Sequence, residues 1–175
     1  MQKYGVELTK LRALGISAMM HGYLAFDKSG KLLVPFRTWR NTITTEAAAK
    51  LSALFDYPVP ERWSISHLYQ AVLNGEKHVG DVAFMTTLSG YVHWKLTGKK
   101  VLGVGDASGM FPIDIATKNY NKKMLAQFSS LVAEKKYGWN IESVLPEVLV
   151  AGDNAGSLTK EGAALLDKDG MLESG

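Results

Sequence analysis

The chain has 175 residues, enough for one domain or one and a small part, and 46% of them are hydrophobic, so a sizeable core is available. Charged residues make up 21%, with 20 basic and 17 acidic side chains scattered along the chain, and a net charge of +3 argues neither for nucleic acid nor for an acidic membrane surface. With no cysteine, a disulfide scaffold, a thiolate zinc site and a thiol nucleophile are excluded; no run can span a membrane and no signal-peptide pattern is visible, so a cytoplasmic protein is expected.

Leu8 and Leu11 stand at helical spacing, which predicts the end of a helix over residues 7–13. The apolar run 14–19 reads as a strand interrupted by Gly15. Residues 23–27 and 31–36 flank Lys28-Ser29-Gly30, a hairpin signal, and Pro35 confines the second run to a strand end or sheet edge. A helix opens at Thr44 or Thr45, runs to about Phe55 through an alanine run, and stops before Pro58 and Pro60. Ser64 or Ser66 caps a second helix through Leu73, with Asn74-Gly75 at its end. A third is predicted over residues 81–96, closed by Gly98. Residues 101–104 read as a short strand, followed by the loop Gly105-Asp106-Ala107-Ser108-Gly109. The fourth helix, 121–135, aligns Met124, Leu125, Phe128, Leu131 and Val132 on one face. Residues 144–150 are extended, 159–166 form a short helix, and 167–175 are turn-like. The fold class is mixed α/β with helices in excess, without internal repeats or a linker that splits the chain.

Few residues here carry chemistry by spacing alone. His21, between Met20 and Gly22 at the end of an apolar run, has two readings. It is a partly buried histidine satisfied by a hydrogen bond, or a polar group at the mouth of a strand that bonds a ligand hydroxyl. The glycine after it permits close approach of a ligand or a neighbouring strand. Trp39 among Arg37, Arg40 and Asn41 either packs in the core beside a solvated loop or forms an apolar wall beside hydrogen-bonding groups, the pairing that sugars need. The 105–109 loop has the glycines of a phosphate cradle but lacks the Lys-Ser/Thr of a P-loop, so Asp106 and Ser108 are expected to shape the loop by bonding its backbone. Gly152-Asp153-Asn154-Ala155-Gly156 reads as a turn before the 159–166 helix. His67, His78 and His93 lie in or beside predicted helices without zinc-ligand spacing, and His93-Trp94 reads as helix packing.

Taken in order, Leu14-Gly15-Ile16-Ser17, Met20-His21-Gly22, the hairpin, Trp39-Arg40-Asn41, Leu96-Thr97-Gly98, Asp106-Ala107-Ser108-Gly109, Leu145-Pro146-Glu147-Val148 and the 156–163 segment resemble the FGGY family of carbohydrate kinases, most of all its xylulose-kinase branch. The resemblance covers the whole chain. It implies an incomplete actin-like, ribonuclease-H-like N-terminal domain over residues 1–175, without the family's opening Asp-x-Gly-Thr phosphate-loop strands and without its C-terminal ATP-binding domain. It implies a sugar site contacted by Met20, His21 and Gly22, lined by Trp39, with Asn41 and Arg62 at pocket positions. Met19 replaces the family's usual glutamine, and Asn41 stands where an aspartate is common, so hydroxyl recognition differs from the family pattern. The family's general base is an aspartate expected beyond Gly175, and Asp153 sits too early in the chain to match it.

The function implied is transfer of the ATP γ-phosphoryl to a hydroxyl of a pentulose-like sugar or a polyol, with ATP and Mg²⁺ serving the full-length enzyme. This chain would supply the sugar-binding side of the cleft, with His21 positioning the sugar and not acting as base. The rival readings are a non-catalytic sugar-binding fragment and an actin-like ATPase or interaction protein in which His21 and Trp39 merely pack. The expected partner is a small-molecule sugar, with no nucleic acid and no membrane. A domain without its opening strands would expose a sheet edge and apolar surface, so association with its missing parts or with a second copy is expected.

Overall fold

The computed structural model describes residues 5, 8–167 and 170–175. The first described segment, residues 8–20, has neither helix nor strand. Leu8 to Ala13 therefore do not form the predicted helix, and Glu7 lies outside the described residues. The predicted strand over 14–19 is also absent. A strand exists only where a neighbour takes up its amides and carbonyls; here Ser89 N–H donates to the Met19 carbonyl (3.4 Å), and no described segment forms a ladder beside it.

Regular structure begins with β1 (Leu24–Phe26). Bridges at Tyr23–Arg37 and Phe26–Leu32, with the Leu33 amide donating to the Ala25 carbonyl, form the predicted hairpin, and Asp27 closes its turn through bonds from Ser29 and Lys31. The next helices follow the sequence reading closely: α1 is Thr45–Phe55 and α2 is Ser64–Leu73. Thr44 is the N-cap residue of α1, as expected, although its side chain bonds elsewhere; the cap of α2 is not the serine expected. The Thr44 hydroxyl donates to the Glu61 carbonyl (2.8 Å), and Trp63 takes the N-cap position of α2, which frees the Ser64 hydroxyl for the Gly22 carbonyl (2.6 Å).

The predicted helix over 81–96 divides into three pieces. A 3₁₀ turn (Lys77–Asp81) leads to β2 (Phe84–Thr86), which pairs antiparallel with β1, and only then does α3 (Leu88–Thr97) begin. The break is local: Thr87 is extended, and its hydroxyl accepts the Gly90 amide (3.1 Å) as a helix N-cap. Gly98 ends α3 in the left-handed region, as predicted. β3 (Val101–Gly103) runs into a helical turn, α4 (Val104–Ala107), where a loop was expected. A small hairpin, β4 (Ile113–Asp114) with β5 (Asn119–Tyr120), precedes α5 (Lys122–Val132), which extends as a 3₁₀ turn through Lys135. A capping box at Asn140 and Ser143 opens α6 (Ile141–Val144), β6 (Glu147–Leu149) pairs parallel with β3, and Thr159 caps α7 (Lys160–Leu166).

The β1–β2 pair is buried on both faces, and its two-residue period sorts the side chains between two clusters. Tyr23, Ala25 and Met85 join the main core with α1, α2 and α5, where Leu51, Leu68, Phe111 and Phe128 are buried. Leu24, Phe26 and Phe84 face the other way, where Phe26 stacks on Tyr91 and meets the edge of Trp94. Burial of each such ring contributes about 1.5–3 kcal/mol. The five residues predicted to share one face of α5 divide: Leu125, Phe128 and Val132 are buried, Met124 is partly buried, and Leu131 is 40% exposed. The pair is thus packed on both faces, and the turn at His21–Gly22 leads directly into it.

Candidate functional site

Three backbone contacts place the Met20-His21-Gly22 turn. The Gly22 amide donates to the Arg62 carbonyl (3.1 Å), the Ser64 hydroxyl donates to the Gly22 carbonyl (2.6 Å), and the Tyr23 amide donates to the Arg37 carbonyl (2.8 Å). Gly22 has φ of 107°, and a Cβ there would lie 2.6 Å from the Arg37 carbonyl oxygen, so the position requires glycine twice over. The second motif meets the first at Gly109: a Cβ on it would lie 2.4 Å from the Met20 carbonyl oxygen and 2.7 Å from His21 Nδ1. The Met-His-Gly turn and the end of Asp106-Ala107-Ser108-Gly109, 88 residues apart, are thus in direct contact across a gap that only glycine fits.

The His21 side chain is half-buried, with Nδ1 enclosed against the Gly109 backbone without a hydrogen bond of standard geometry. Burial holds its pKa below the ordinary histidine value; the Gly109 backbone pulls up, Arg62 pulls down and Asp106 pulls up. The imidazole is therefore neutral at neutral pH, with one nitrogen able to accept and the other to donate. Asp106 is fixed from α3, where the Ser89 hydroxyl donates to its carboxylate (2.5 Å), while the Ser108 hydroxyl bonds the Gly105 carbonyl (2.6 Å). Ser108 shapes the segment as expected; Asp106 bonds a side chain and not the backbone.

The other predicted residues are distributed less tightly. Arg62 is exposed and reaches this turn through its carbonyl and its charge. Trp39 is 48% exposed, with the Arg40 guanidinium 5.0 Å above its ring, so it is not a core tryptophan. The Asn41 carboxamide oxygen accepts the Ile43 amide (3.1 Å), which commits that oxygen to the loop. No described contact joins Trp39 or Asn41 to His21. Asp153 closes a turn by accepting the Val150 amide (2.9 Å), the local role expected of it. His93 bonds the Ala155 carbonyl (3.0 Å), while Trp94 packs between the Lys95 and Lys100 ammonium groups and Phe26.

Two features escaped the sequence reading. One is the support beneath the turn: Arg37 forms an ion pair with Glu76, Tyr23 bonds His78 Nε2 (3.1 Å), and Glu76 accepts from Asn74. The Arg37–Glu76 and Tyr23–His78 pairs join residues 39 and 55 positions apart, and spacing cannot reveal them. The other is a groove of about 600 Å³ between residues 11–16, α3, β3 and the turn at 149–158, with Ser89 and Asp106 on its wall. His21, Trp39, Asn41 and Arg62 do not line it.

Comparison with known proteins fits this arrangement. Residues 1–170 match the FGGY family of carbohydrate kinases, N-terminal domain. A xylulose kinase of Haemophilus influenzae is 25% identical over 165 residues, covering 89% of this chain and 32% of the relative. In fold, the chain matches a ligand-bound xylulose kinase from Lactobacillus acidophilus with TM-score 0.75 and 15% identity, over 99% of this chain and 34% of that one. It also matches a gluconate kinase from Lactobacillus acidophilus with TM-score 0.67 and 14% identity, over 87% of this chain and 30% of that one. The chain spans about a third of the length of these relatives. The mixed α/β architecture is that of the actin-like N-terminal domains of FGGY sugar kinases. With a family match across nearly its whole length, the chain belongs to the FGGY family of carbohydrate kinases, as an N-terminal domain.

Proposed function

We propose that this chain supplies the sugar-binding wall of an ATP-dependent carbohydrate kinase that phosphorylates a pentulose-like sugar or a polyol. The observation that carries this reading is the contact between the His21–Gly22 turn and Gly109, which brings two family motifs together around a neutral imidazole. A sugar hydroxyl is both donor and acceptor, and a neutral imidazole can pair with either function. His21 holds the hydroxyl in place and does not deprotonate it, because positioning alone can supply much of the rate of such a transfer. Met20, Gly22 and Arg62 border the same turn, and Trp39 and Asn41 complete the pocket when the sugar is present. Trp39 offers the exposed aromatic face that the C–H surface of a sugar requires. The pentulose preference rests on the xylulose kinase relative, and the gluconate kinase likeness keeps an aldonate in the test panel.

ATP and Mg²⁺ follow from the family. Among the described residues no group of three or more His, Asp or Glu side chains could hold a metal ion. The family's general base is an aspartate, and Asp153, which closes a local turn, is not proposed for that role. No helix among the described residues is long and apolar enough to cross a membrane.

The test is a titration of the chain and of its His21→Ala variant with D-xylulose, a polyol and gluconate by calorimetry. Saturable pentulose or polyol binding, weakened about five- to 150-fold in the variant, is expected, since loss of a hydrogen bond to a buried partner costs about 1–3 kcal/mol. Equal affinity in the two proteins would remove His21 from the site.

A further inference from the structure

The polar support beneath the His21–Gly22 turn is a closed circuit, and the function above gives it no task. It starts from the backbone: the Tyr23 amide donates to the Arg37 carbonyl (2.8 Å) and the Arg37 amide to the Tyr23 carbonyl (3.3 Å). Side chains close it. Arg37 Nη1 donates to Glu76 Oε1 (3.2 Å) and Nη2 pairs with Oε2 of the same carboxylate, a two-pronged bond that fixes direction as well as distance. Glu76 Oε2 lies 3.5 Å from His78 Nδ1, and His78 Nε2 bonds the hydroxyl of Tyr23 (3.1 Å), which is fully buried. A lone pair on Nδ1 would be repelled by that carboxylate and an N–H attracted, so Nδ1 carries the proton and Nε2 accepts from Tyr23. His67, stacked on the Tyr23 ring, has neither nitrogen hydrogen-bonded and does not compete for the hydroxyl. The circuit is tied to the end of α2, because the Glu76 amide donates to the Ala71 carbonyl (3.0 Å).

Both strands of the Tyr23–Arg37 bridge lead to candidate sugar residues. His21 lies two residues before Tyr23, and Trp39 two residues after Arg37. Trp39 sits in a turn that opens at Thr38, whose carbonyl accepts the Asn41 amide (3.0 Å). We propose that Glu76 and His78 are positioning residues for the pocket: they clamp the Tyr23–Arg37 bridge to the end of α2 and so set the separation of His21 from Trp39. That His21 and Trp39 share a sugar rests on the function proposed above; the clamp is a property of the chain alone. Glu76 acts through Arg37, and His78 acts through Tyr23, so neither needs to touch the ligand.

The experiment is ¹⁵N NMR of the labelled chain, in the wild type and in Glu76→Gln, Glu76→Asp, Tyr23→Phe and Glu46→Gln. The wild type is expected to show a pyrrole-type Nδ1 and a pyridine-type Nε2 at His78. Glu76→Gln removes the charge at constant shape, so it should raise the Nε2–H population of His78 and move both the Gly22 amide and the Trp39 indole resonances. Glu76→Asp should restore the tautomer in part. Tyr23→Phe, which removes one hydroxyl, should move the same two resonances by less, and reads the clamp should Glu76→Gln not fold. Glu46→Gln, which breaks the exposed Glu46–Lys50 pair (2.7 Å) on α1, should move neither. A wild-type proton on Nε2 of His78 would overturn the proposal, as would Gly22 and Trp39 resonances unmoved in both Glu76→Gln and Tyr23→Phe, or moved as far by Glu46→Gln. Added D-xylulose should bind Glu76→Gln more weakly than wild type by about twofold or more, the lower bound for coupling within one hydrogen-bonded network. Equal affinity would overturn the positioning role. Lack of binding by the wild type would instead refute the sugar site and leave the clamp to be decided by the resonances alone.

Discussion

Gly109→Ala probes the meeting point of the two motifs with a single methyl group. The added Cβ would lie 2.4 Å from the Met20 carbonyl oxygen and 2.7 Å from His21 Nδ1, where ordinary contact begins at 3.4 Å. Relief needs about 1 Å of movement, and one obstacle is backbone, so a rotamer change alone cannot supply it. Overpacking of this kind costs about 1–3 kcal/mol, partly offset by the ~0.4–1 kcal/mol that alanine contributes by restricting the unfolded chain. A net loss of about 1–2 kcal/mol lowers the melting temperature by ~2–8 °C for a chain of this size. Gly105→Ala is the internal control. It lies in the helical turn α4 with nothing within 4 Å of its Cβ, so it should be neutral or stabilising by up to ~1 kcal/mol. Thermal melts followed by circular dichroism measure both. Equal melting temperatures for Gly109→Ala and Gly105→Ala would refute the claimed contact, and with it the assembly of the site.

A second close approach locks α7 onto α3. A Cβ on Gly162 would lie 2.1 Å from the Leu96 carbonyl oxygen, with the Leu96 carbonyl carbon and Cα also within 3 Å, so Gly162→Ala should cost about 3 kcal/mol, and a melt within 1–2 °C of wild type would contradict it. His67 is fully buried, stacked on Tyr23, with neither ring nitrogen bonded, and burial pushes its pKa down to about 4. The unfolded chain then binds a proton that the folded chain refuses, so stability should fall as pH drops from about 6.5 toward 4, by roughly 3 kcal/mol in all. Urea melts at stepped pH should show that slope, and His67→Phe should flatten it; a slope unchanged by the substitution would assign acid sensitivity elsewhere.

Legibility in the sequence followed locality. The ends of α1 and α2 could be read because proline and asparagine-glycine signals lie within a few residues of them, and Asn121 and Thr159 are N-caps of α5 and α7 within the predicted spans. β2 was hidden, since three residues, Phe84-Met85-Thr86, are too short to show a period and are extended only because β1 is beside them. The reverse error occurred at 14–19, where an apolar run met no partner among the described residues. His21, Gly22 and Gly109 were each visible as motif residues, but their contact is long-range, as is the Ser89–Asp106 bond. Trp39 could be named but not placed, because exposure depends on what the rest of the chain covers.

The central claim is that the turn at His21–Gly22, seated on Gly109, is the wall of a sugar site. Amide and imidazole resonances of the chain, titrated with D-xylulose in an NMR experiment, test it most directly. Saturable shifts at His21, Gly22, Arg62 and Gly109, absent in His21→Ala, are the predicted result. Shifts confined to the groove between residues 11–16 and the 149–158 turn, or no shifts at millimolar sugar, would contradict it.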